Sequence, residues 1–321
     1  MRLDRTNSIL NANILFLALA IVFIFVGGIV QQRNIYTGVL ITEYVLILLP
    51  NLLYLKFMNK PLKESLSLRT VSPKQILFTF LSVVTAYPIA VFLNFLMMLL
   101  VNSVSDVVPT GVPIPSSWTE YIIGIFVIAI TPGICEEVMF RGTLLSAYRE
   151  LGDKKALLLT SFLFGIFHFN LLNFAGPAFL GLVLGIIFLK TKSLFAAMFG
   201  HVLNNSLALS LGFFMTRLLE KHSDIATETP QLTDGTEIIF VIIALAGWGF
   251  ISSILLFLIL KYFPKTADKI EEDMLDGENE ESPVDYEFGE YQPRVNQQLR
   301  WIPVIATIGI FIFLNYRYFM T

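Results

Sequence analysis

The chain has 321 residues, of which 55% are hydrophobic and only 15% are charged, and its formal net charge is −3. Soluble domains carry about 25% charged residues, so this composition excludes an ordinary soluble protein, and the small net charge gives no sign of a nucleic-acid partner. The single cysteine, Cys135, excludes an intramolecular disulfide framework.

Nine apolar segments predict membrane helices, each close to the roughly 20 residues that a bilayer requires. They are 9–30, 36–57, 75–101, 118–148, 156–172, 174–189, 193–216, 237–260 and 301–320. The first is too long for the apolar region of a secretory signal and lacks a small-residue cleavage site, so we predict that it spans. The fifth and sixth are short and adjoin at Asn173, which predicts a helical hairpin. We therefore expect an all-α, multi-pass transmembrane bundle of eight or nine spans.

The basic residues predict the orientation of this bundle. If the N-terminus is cytoplasmic, most of the 22 Lys and Arg residues fall on the cytoplasmic side. The exceptions are Arg33, Arg217, Lys221 and Arg317. Cytoplasmic loops are enriched in Lys and Arg, so the pattern indicates a cytoplasmic N-terminus.

Several spans contain ionisable or polar side chains, which are costly in hydrocarbon and are a functional hypothesis by default. They are Glu136, Glu137 and Arg141 in the fourth span, Phe164 and His168 in the fifth, and His201 and Asn205 in the seventh. Glu137 and Arg141 are four residues apart, so they can pair on one helix face. Glu136 points about 100° away from Glu137, which predicts different roles for the two carboxylates.

The depths of these groups agree. Counted from the flanking basic residues at about 1.5 Å per residue, Glu136 and His168 lie about 20 Å, and His201 about 14 Å, from the cytoplasmic end. We therefore expect the three side chains to face one intramembrane polar cavity, and we expect that cavity to open toward the cytoplasmic leaflet.

This set of side chains suits hydrolysis of an amide by activated water. A carboxylate and imidazoles can polarise water directly or through a metal, and catalytic zinc commonly takes three such ligands. Glu136, His168 and His201 are thus candidate ligands for Zn²⁺ or another divalent metal, and no organic cofactor is expected. Asn205 and a second histidine can donate hydrogen bonds to a developing oxyanion.

At these residues the sequence resembles the CPBP family, also called the Abi family, which includes the CAAX-type prenyl-protein endopeptidases and bacterial relatives. The resemblance rests on three boxes in order: Glu136-Glu137-x-x-x-Arg141, Phe164-x-x-x-His168 and His201-x-x-x-Asn205. It covers about residues 118–215. Each box alone is weak, whereas three boxes at a spacing that fits three spans are specific.

The resemblance implies an intramembrane glutamate protease or metalloprotease. It assigns water activation to Glu136, with His168 holding the water or a metal, and oxyanion stabilisation to His201 and Asn205. Glu137, Arg141 and Phe164 would support the site. The implied substrate is a membrane protein or a lipidated or hydrophobic peptide, not necessarily prenylated, and the implied location is a bacterial plasma membrane.

The chain divides into five regions on this basis. Residues 1–116 would hold spans one to three, 117–217 the catalytic core, 218–260 an outer loop and span eight, 261–300 an acidic loop, and 301–321 the last span. Between Asp268 and Glu290 the loop has eleven carboxylates and one Lys. Such a segment cannot bury enough apolar surface to offset its ordering entropy, so we predict a disordered cytoplasmic linker.

Two other classes stay open from the sequence. The large regions outside the boxes would suit a non-catalytic membrane scaffold or a bacteriocin-immunity protein. The short hairpin would suit a small-solute transporter, although no matching broken helix is evident in another half. Among the remaining polar residues, Glu43 is expected near the outer interface, and Asn94 is expected to join helices.

Overall fold

The computed structural model describes residues 8–58, 62–103, 113–221, 235–266, 298–316 and 319. Their regular structure is helical throughout. We number the main helices α1 Ser8–Arg33, α2 Ile35–Phe57, α3 Pro73–Asn102, α4 Trp118–Leu151, α5 Asp153–Ile166, α6 Ala175–Thr191, α7 Leu194–Lys221, α8 Gly235–Lys261 and α9 Ile302–Tyr316.

The all-α multi-pass prediction is confirmed, because eight helical segments in the described parts of the chain are long and apolar enough to cross a membrane. The exception is α5, which has only 14 residues. The predicted linker between Asp268 and Glu290 lies outside the described residues.

The central helix α4 is not a uniform α-helix. It begins at Trp118, where the Ser117 side chain accepts a hydrogen bond from the Glu120 backbone N–H. Two π-helical stretches, Ile125–Ile130 and Val138–Leu145, flank the α-helical stretch Thr131–Glu137. Wide turns of this kind often occur at functional sites, and here they flank the stretch that carries both intramembrane glutamates.

The predicted hairpin is present as α5 and α6, which pack closely along their length. Glycines permit this contact. A Cβ atom on Gly165 would lie 2.7 Å from the carbonyl oxygen of Phe174, and one on Gly185 would lie 2.4 Å from a methyl group of Leu157. Residues 167–174 connect the two helices without regular α-helix, and we call this segment the hairpin tip.

Two asparagines from distant helices hold the hairpin tip. Asn94 of α3 accepts from the Gly176 backbone N–H at 2.7 Å and donates to the Asn173 side chain at 3.1 Å. Asn315 of α9 accepts from the Leu171 N–H at 2.7 Å and donates to the Phe169 carbonyl at 3.3 Å. The expectation that Asn94 joins helices is thus confirmed.

One end of the bundle, which we call the basal end, joins the starts of α3 and α7 to the ends of α6 and α8. Ser193 donates to the Arg69 carbonyl at 2.6 Å, and Gln75 donates to the Pro264 carbonyl at 3.2 Å. The opposite, distal end contains the ends of α3 and α7 and the start of α4. The position of each group in the site along the bundle is given relative to these two ends.

Most large exposed side chains are apolar and suit contact with lipid. Along α8, for example, Phe240, Ile243, Phe250 and Phe257 are each more than 60% exposed. Apolar patches of this extent are rare on soluble monomers. Because lipid is as apolar as these side chains, the helices associate through close packing and interhelical hydrogen bonds.

Candidate active site

The interior of the site is organised by a buried ion pair on α4. Nη1 of Arg141 donates to Oε1 of Glu137 at 3.0 Å, and the two side chains are 3% and 0% exposed. Nη2 of Arg141 donates to the carbonyl of Gly181 on α6 at 2.9 Å. The predicted pairing of Glu137 with Arg141 is therefore present, and it also attaches α4 to the hairpin.

The same carboxylate orients His201. Nδ1 of His201 lies 2.9 Å from Oε1 of Glu137, and a carboxylate paired with Arg141 can only accept. Nδ1 therefore carries the hydrogen, and the ring presents Nε2 to the cavity. Nε2 of His201 lies 3.9 Å from Oε2 of Glu136. Glu137 thus contacts the histidine on the side away from the cavity, while Glu136 lies on the cavity side.

His168 is oriented by its own helix. Nδ1 of His168 lies 2.9 Å from the Phe164 carbonyl oxygen. Because a carbonyl can only accept, the hydrogen belongs on Nδ1, and Nε2 carries the lone pair. The next residue, Phe169, has φ of +49°, a region that bulky residues seldom adopt. The chain therefore leaves the helix abruptly just after the histidine.

Phe164 packs at the centre of these groups. Its ring centroid lies 5.4 Å from that of His168 and 5.5 Å from that of His201. The Arg141 guanidinium lies 5.2 Å from the same centroid, within the range of a cation–π contact. Phe164 thus separates the buried ion pair from the cavity and limits how each histidine ring can tilt.

Asn205 completes the set from α7, one turn after His201. Its Nδ2 donates to the Ile128 carbonyl at 3.3 Å, and its Oδ1 accepts from Asn204 Nδ2 at 3.1 Å. An amide nitrogen carries two hydrogens, so one stays available to a ligand. Asn204 also lines the cavity, but no sequence motif indicates it, because its position is evident only from this contact and from the cavity wall.

These groups line a cavity of about 370 Å³. Glu136, His168, His201 and Asn205 all contribute to its wall, so the prediction of one shared intramembrane cavity is confirmed. Most of the other lining residues are apolar, and they include Ala90, Val91, Ile114, Pro132, Pro177, Leu180, Ala208 and Leu209. Tyr87 and Asn94 add polar groups from α3, which the sequence motifs did not indicate.

The cavity extends from the histidines toward the distal end. Its wall follows α7 from His201 to Gly212 and includes Pro113 and Ile114 just before α4. Ile114 is 56% exposed, so the cavity reaches the surface there. The distal end is the side that the basic residues predict to be extracytoplasmic. A cytoplasmic N-terminus and a cytoplasmic opening therefore cannot both be correct.

Glu43 is the residue that sequence reasoning misplaced. It is 5% exposed rather than interfacial, because α2 packs it against the α4 segment that carries Cys135 and Glu136. Its Oε2 has no hydrogen-bond partner. An isolated buried carboxylate is costly when ionised. Nothing in the α2 sequence distinguishes this glutamate from an interfacial one.

The proposed metal ligands do not form a ligand set in this arrangement. Among the described residues, no three His, Cys, Asp or Glu side chains cluster as a metal site. Glu136 and His201 approach each other, and His168 bonds the Phe164 carbonyl through Nδ1, which leaves its Nε2 lone pair free. A metal at this site therefore stays a prediction.

Comparison with protein families gives one match. Residues 118–207 match the family described as Rce1-like, type II CAAX prenyl endopeptidase Rce1-like. Neither the curated proteins nor the solved structures include a match to the chain. The matched segment runs from the start of α4 to just beyond Asn205, and it contains all three boxes.

The matched segment is less than half of the chain, so it is a similarity of residues 118–207 to the CAAX protease family. The eight apolar helical segments of the described residues make the chain a multi-pass membrane protein.

Proposed function

We propose that this protein is an intramembrane endopeptidase that hydrolyses a peptide bond of a membrane-associated protein or peptide. The observation that carries the proposal is the pairing of Glu136 with His201 in the cavity wall, with Oε2 and Nε2 3.9 Å apart. A water molecule or a substrate oxygen can contact both atoms at once. The family match of residues 118–207 supports the same class of reaction.

In the first step Glu136 acts as general base. Its side chain is 14% exposed in the cavity, so it can accept the proton of a bound water while the water oxygen bonds to the peptide carbonyl carbon. The Nε2 lone pair of His168 can accept the second water hydrogen and hold the nucleophile in place. Positioned proton transfer of this kind contributes about 10²- to 10⁴-fold in rate.

The carbonyl oxygen becomes an oxyanion in the same step. The free Nδ2 hydrogen of Asn205 can donate to it, and His201 can donate from Nε2 in its doubly protonated form, with that proton retained on the ring throughout the step. Glu137 stabilises that charged imidazole from Nδ1, at 2.9 Å. Removing one such donor costs about 10²- to 10³-fold in turnover.

In the second step the tetrahedral intermediate collapses. The carbon–nitrogen bond breaks, and Glu136 returns its proton to the leaving amine. The products are a carboxylic acid and an amine, which ionise in water to a carboxylate and an ammonium group, and the side chains regain their starting protonation states. No external reductant, oxidant or phosphate donor is required.

A divalent metal is a separate prediction for this cavity. Glu136, His168 and His201 would supply the ligands, and a bound ion would polarise the water. Because these side chains do not form a three-ligand set among the described residues, the steps above use only the protein's own groups.

The test compares wild type with Glu136→Gln in cells that lack the gene, at equal membrane abundance. The readout is the set of peptide termini in the membrane fraction. We expect Glu136→Gln to abolish cleavage products that the wild type restores. Glu220→Gln is the matched control, because this carboxylate lies exposed at the end of α7. If Glu136→Gln restores every product and the phenotype, hydrolysis by this site is refuted, and a scaffold or immunity role gains support.

A further inference from the structure

The hairpin is much shorter than the helices around it. At about 1.5 Å per residue, the 14 residues of α5 span about 21 Å from the basal end. The neighbouring α3 and α7, with 30 and 28 residues, span about 45 and 42 Å. Asn94 binds the hairpin tip, and α3 continues for eight more residues beyond Asn94. The long helices therefore extend past the tip toward the distal end and leave a space there.

The hairpin tip places non-helical backbone at membrane depth. Such backbone is tolerated within a bilayer only where protein buries it or where it lines a water-filled cavity. Asn315 satisfies the tip on its protein side. On its other side, His168, Asn173 and Asn94 line the cavity, and Asn94 bonds the tip there. The tip is thus the floor of a cavity that extends toward the distal end.

The charges identify which side of the membrane the distal end faces. Ten Lys and Arg residues occupy the basal segments 63–74, 149–155, 190–192 and 261–265. At the distal end of the described residues the only ones are Arg33, Arg217 and Lys221. Basic residues are retained on the cytoplasmic side. The basal end is therefore cytoplasmic, and the cavity opens away from the cytoplasm.

We infer that water and substrate reach the site from the extracytoplasmic side. This inference rests on the proposed function and narrows its substrate class. The substrate is an extended segment of an exported or membrane-anchored polypeptide at the outer leaflet, and an isoprenylated C-terminus in the cytoplasm does not fit. The apolar wall, with Val91, Leu180 and Leu209, selects apolar side chains next to the bond that is cut.

Cysteine labelling with a membrane-impermeant maleimide on intact cells tests the opening. The background is Cys135→Ala, since the native cysteine is buried. The reporter is Gly212→Cys in the cavity wall, where a Cβ atom meets Ile114 only at an ordinary contact distance of 3.6 Å. Arg33→Cys marks the distal surface and Lys155→Cys marks the basal surface, because both native residues are exposed.

We expect Gly212→Cys and Arg33→Cys to react on intact cells, and Lys155→Cys to react only after permeabilisation. Labelling of Gly212→Cys only after permeabilisation would overturn the inference. No labelling of Gly212→Cys under either condition would also overturn it, because the cavity would then be closed to water at its distal end.

The experiment separates this inference from the proposed function. Labelling does not depend on turnover, so it is repeated with Glu136→Gln present and should be unchanged. If the protein labels as expected but cleaves nothing, the extracytoplasmic opening is supported and the protease assignment is contradicted. A protein that cleaves only a cytoplasmic reporter retains the protease assignment and loses the extracytoplasmic substrate.

Discussion

Replacement of Arg141 by Met tests the buried ion pair most directly. The change keeps the approximate length of the side chain but removes the hydrogen bonds to Glu137 at 3.0 Å and to the Gly181 carbonyl at 2.9 Å. Glu137 is 0% exposed, so its carboxylate stays buried without its cation. Removing one partner of a buried pair costs about 3–5 kcal/mol. We expect Arg141→Met to lower the free energy of unfolding by that amount.

A second variant separates the cost of the unpaired buried charge from the cost of lost packing. In Glu137→Gln combined with Arg141→Met, neither charge is left, and Gln can still accept from Nδ1 of His201. We expect the double variant to recover about 2 kcal/mol relative to Arg141→Met, because a charge-free site of similar shape is close to neutral.

The assay is reversible unfolding of the purified protein in mild detergent, followed by tryptophan fluorescence. Each single variant and the double variant are compared with wild type as a double-mutant cycle. If Arg141→Met is as stable as wild type, or if the two changes simply add, the ion pair does not organise the site and the reasoning is refuted.

Three further predictions concern the hairpin and the cavity. Asn315→Ala should reduce turnover at least tenfold, because the tip contacts beside His168 are lost. Ile312→Ala, at an exposed position of the same helix, should leave turnover unchanged. Equal turnover of the two variants would contradict a positioning role for α9. Gly165→Ala should lower the free energy of unfolding by about 1–3 kcal/mol, because its Cβ atom would lie 2.7 Å from the Phe174 carbonyl. In the control Gly28→Ala the Cβ atom meets nothing within 4 Å, so the free energy of unfolding should not change. Dialysis of the purified protein against a zinc chelator tests the metal prediction separately. If Glu136, His168 and His201 hold a metal, cleavage should be lost and then restored by Zn²⁺. Cleavage that survives the chelator would contradict the metal prediction.

The sequence predicted the helical fold and the pairing of Glu137 with Arg141, for a physical reason. A bilayer imposes a fixed length on each span, and charge within a span is rare enough to stand out. Glu137 and Arg141 were paired from their spacing alone, because helical geometry fixes neighbours four residues apart. The hairpin followed from two short segments that meet at Asn173.

Contacts between distant helices were beyond the sequence. The burial of Glu43 depends on how α2 packs against α4, and the role of Asn315 depends on α9 reaching the hairpin tip. No spacing rule links residues 146 positions apart. The predicted cytoplasmic opening stays a prediction, because depth along a helix gives the level of a side chain but not the side of the membrane from which it is reached.

The attachment of Asn315 to the hairpin tip has a consequence for biosynthesis. Asn315 lies 146 residues after Phe169 along the chain, so the ribosome completes the three motif helices well before it makes the residue that fixes the backbone beside His168. At about 5–20 residues per second, synthesis of the chain from Phe169 to Asn315 takes roughly 7–30 s. During that interval the tip has its contacts with Asn94 but lacks those with Asn315. The final arrangement of the backbone beside His168 is thereby deferred until the last helix has inserted.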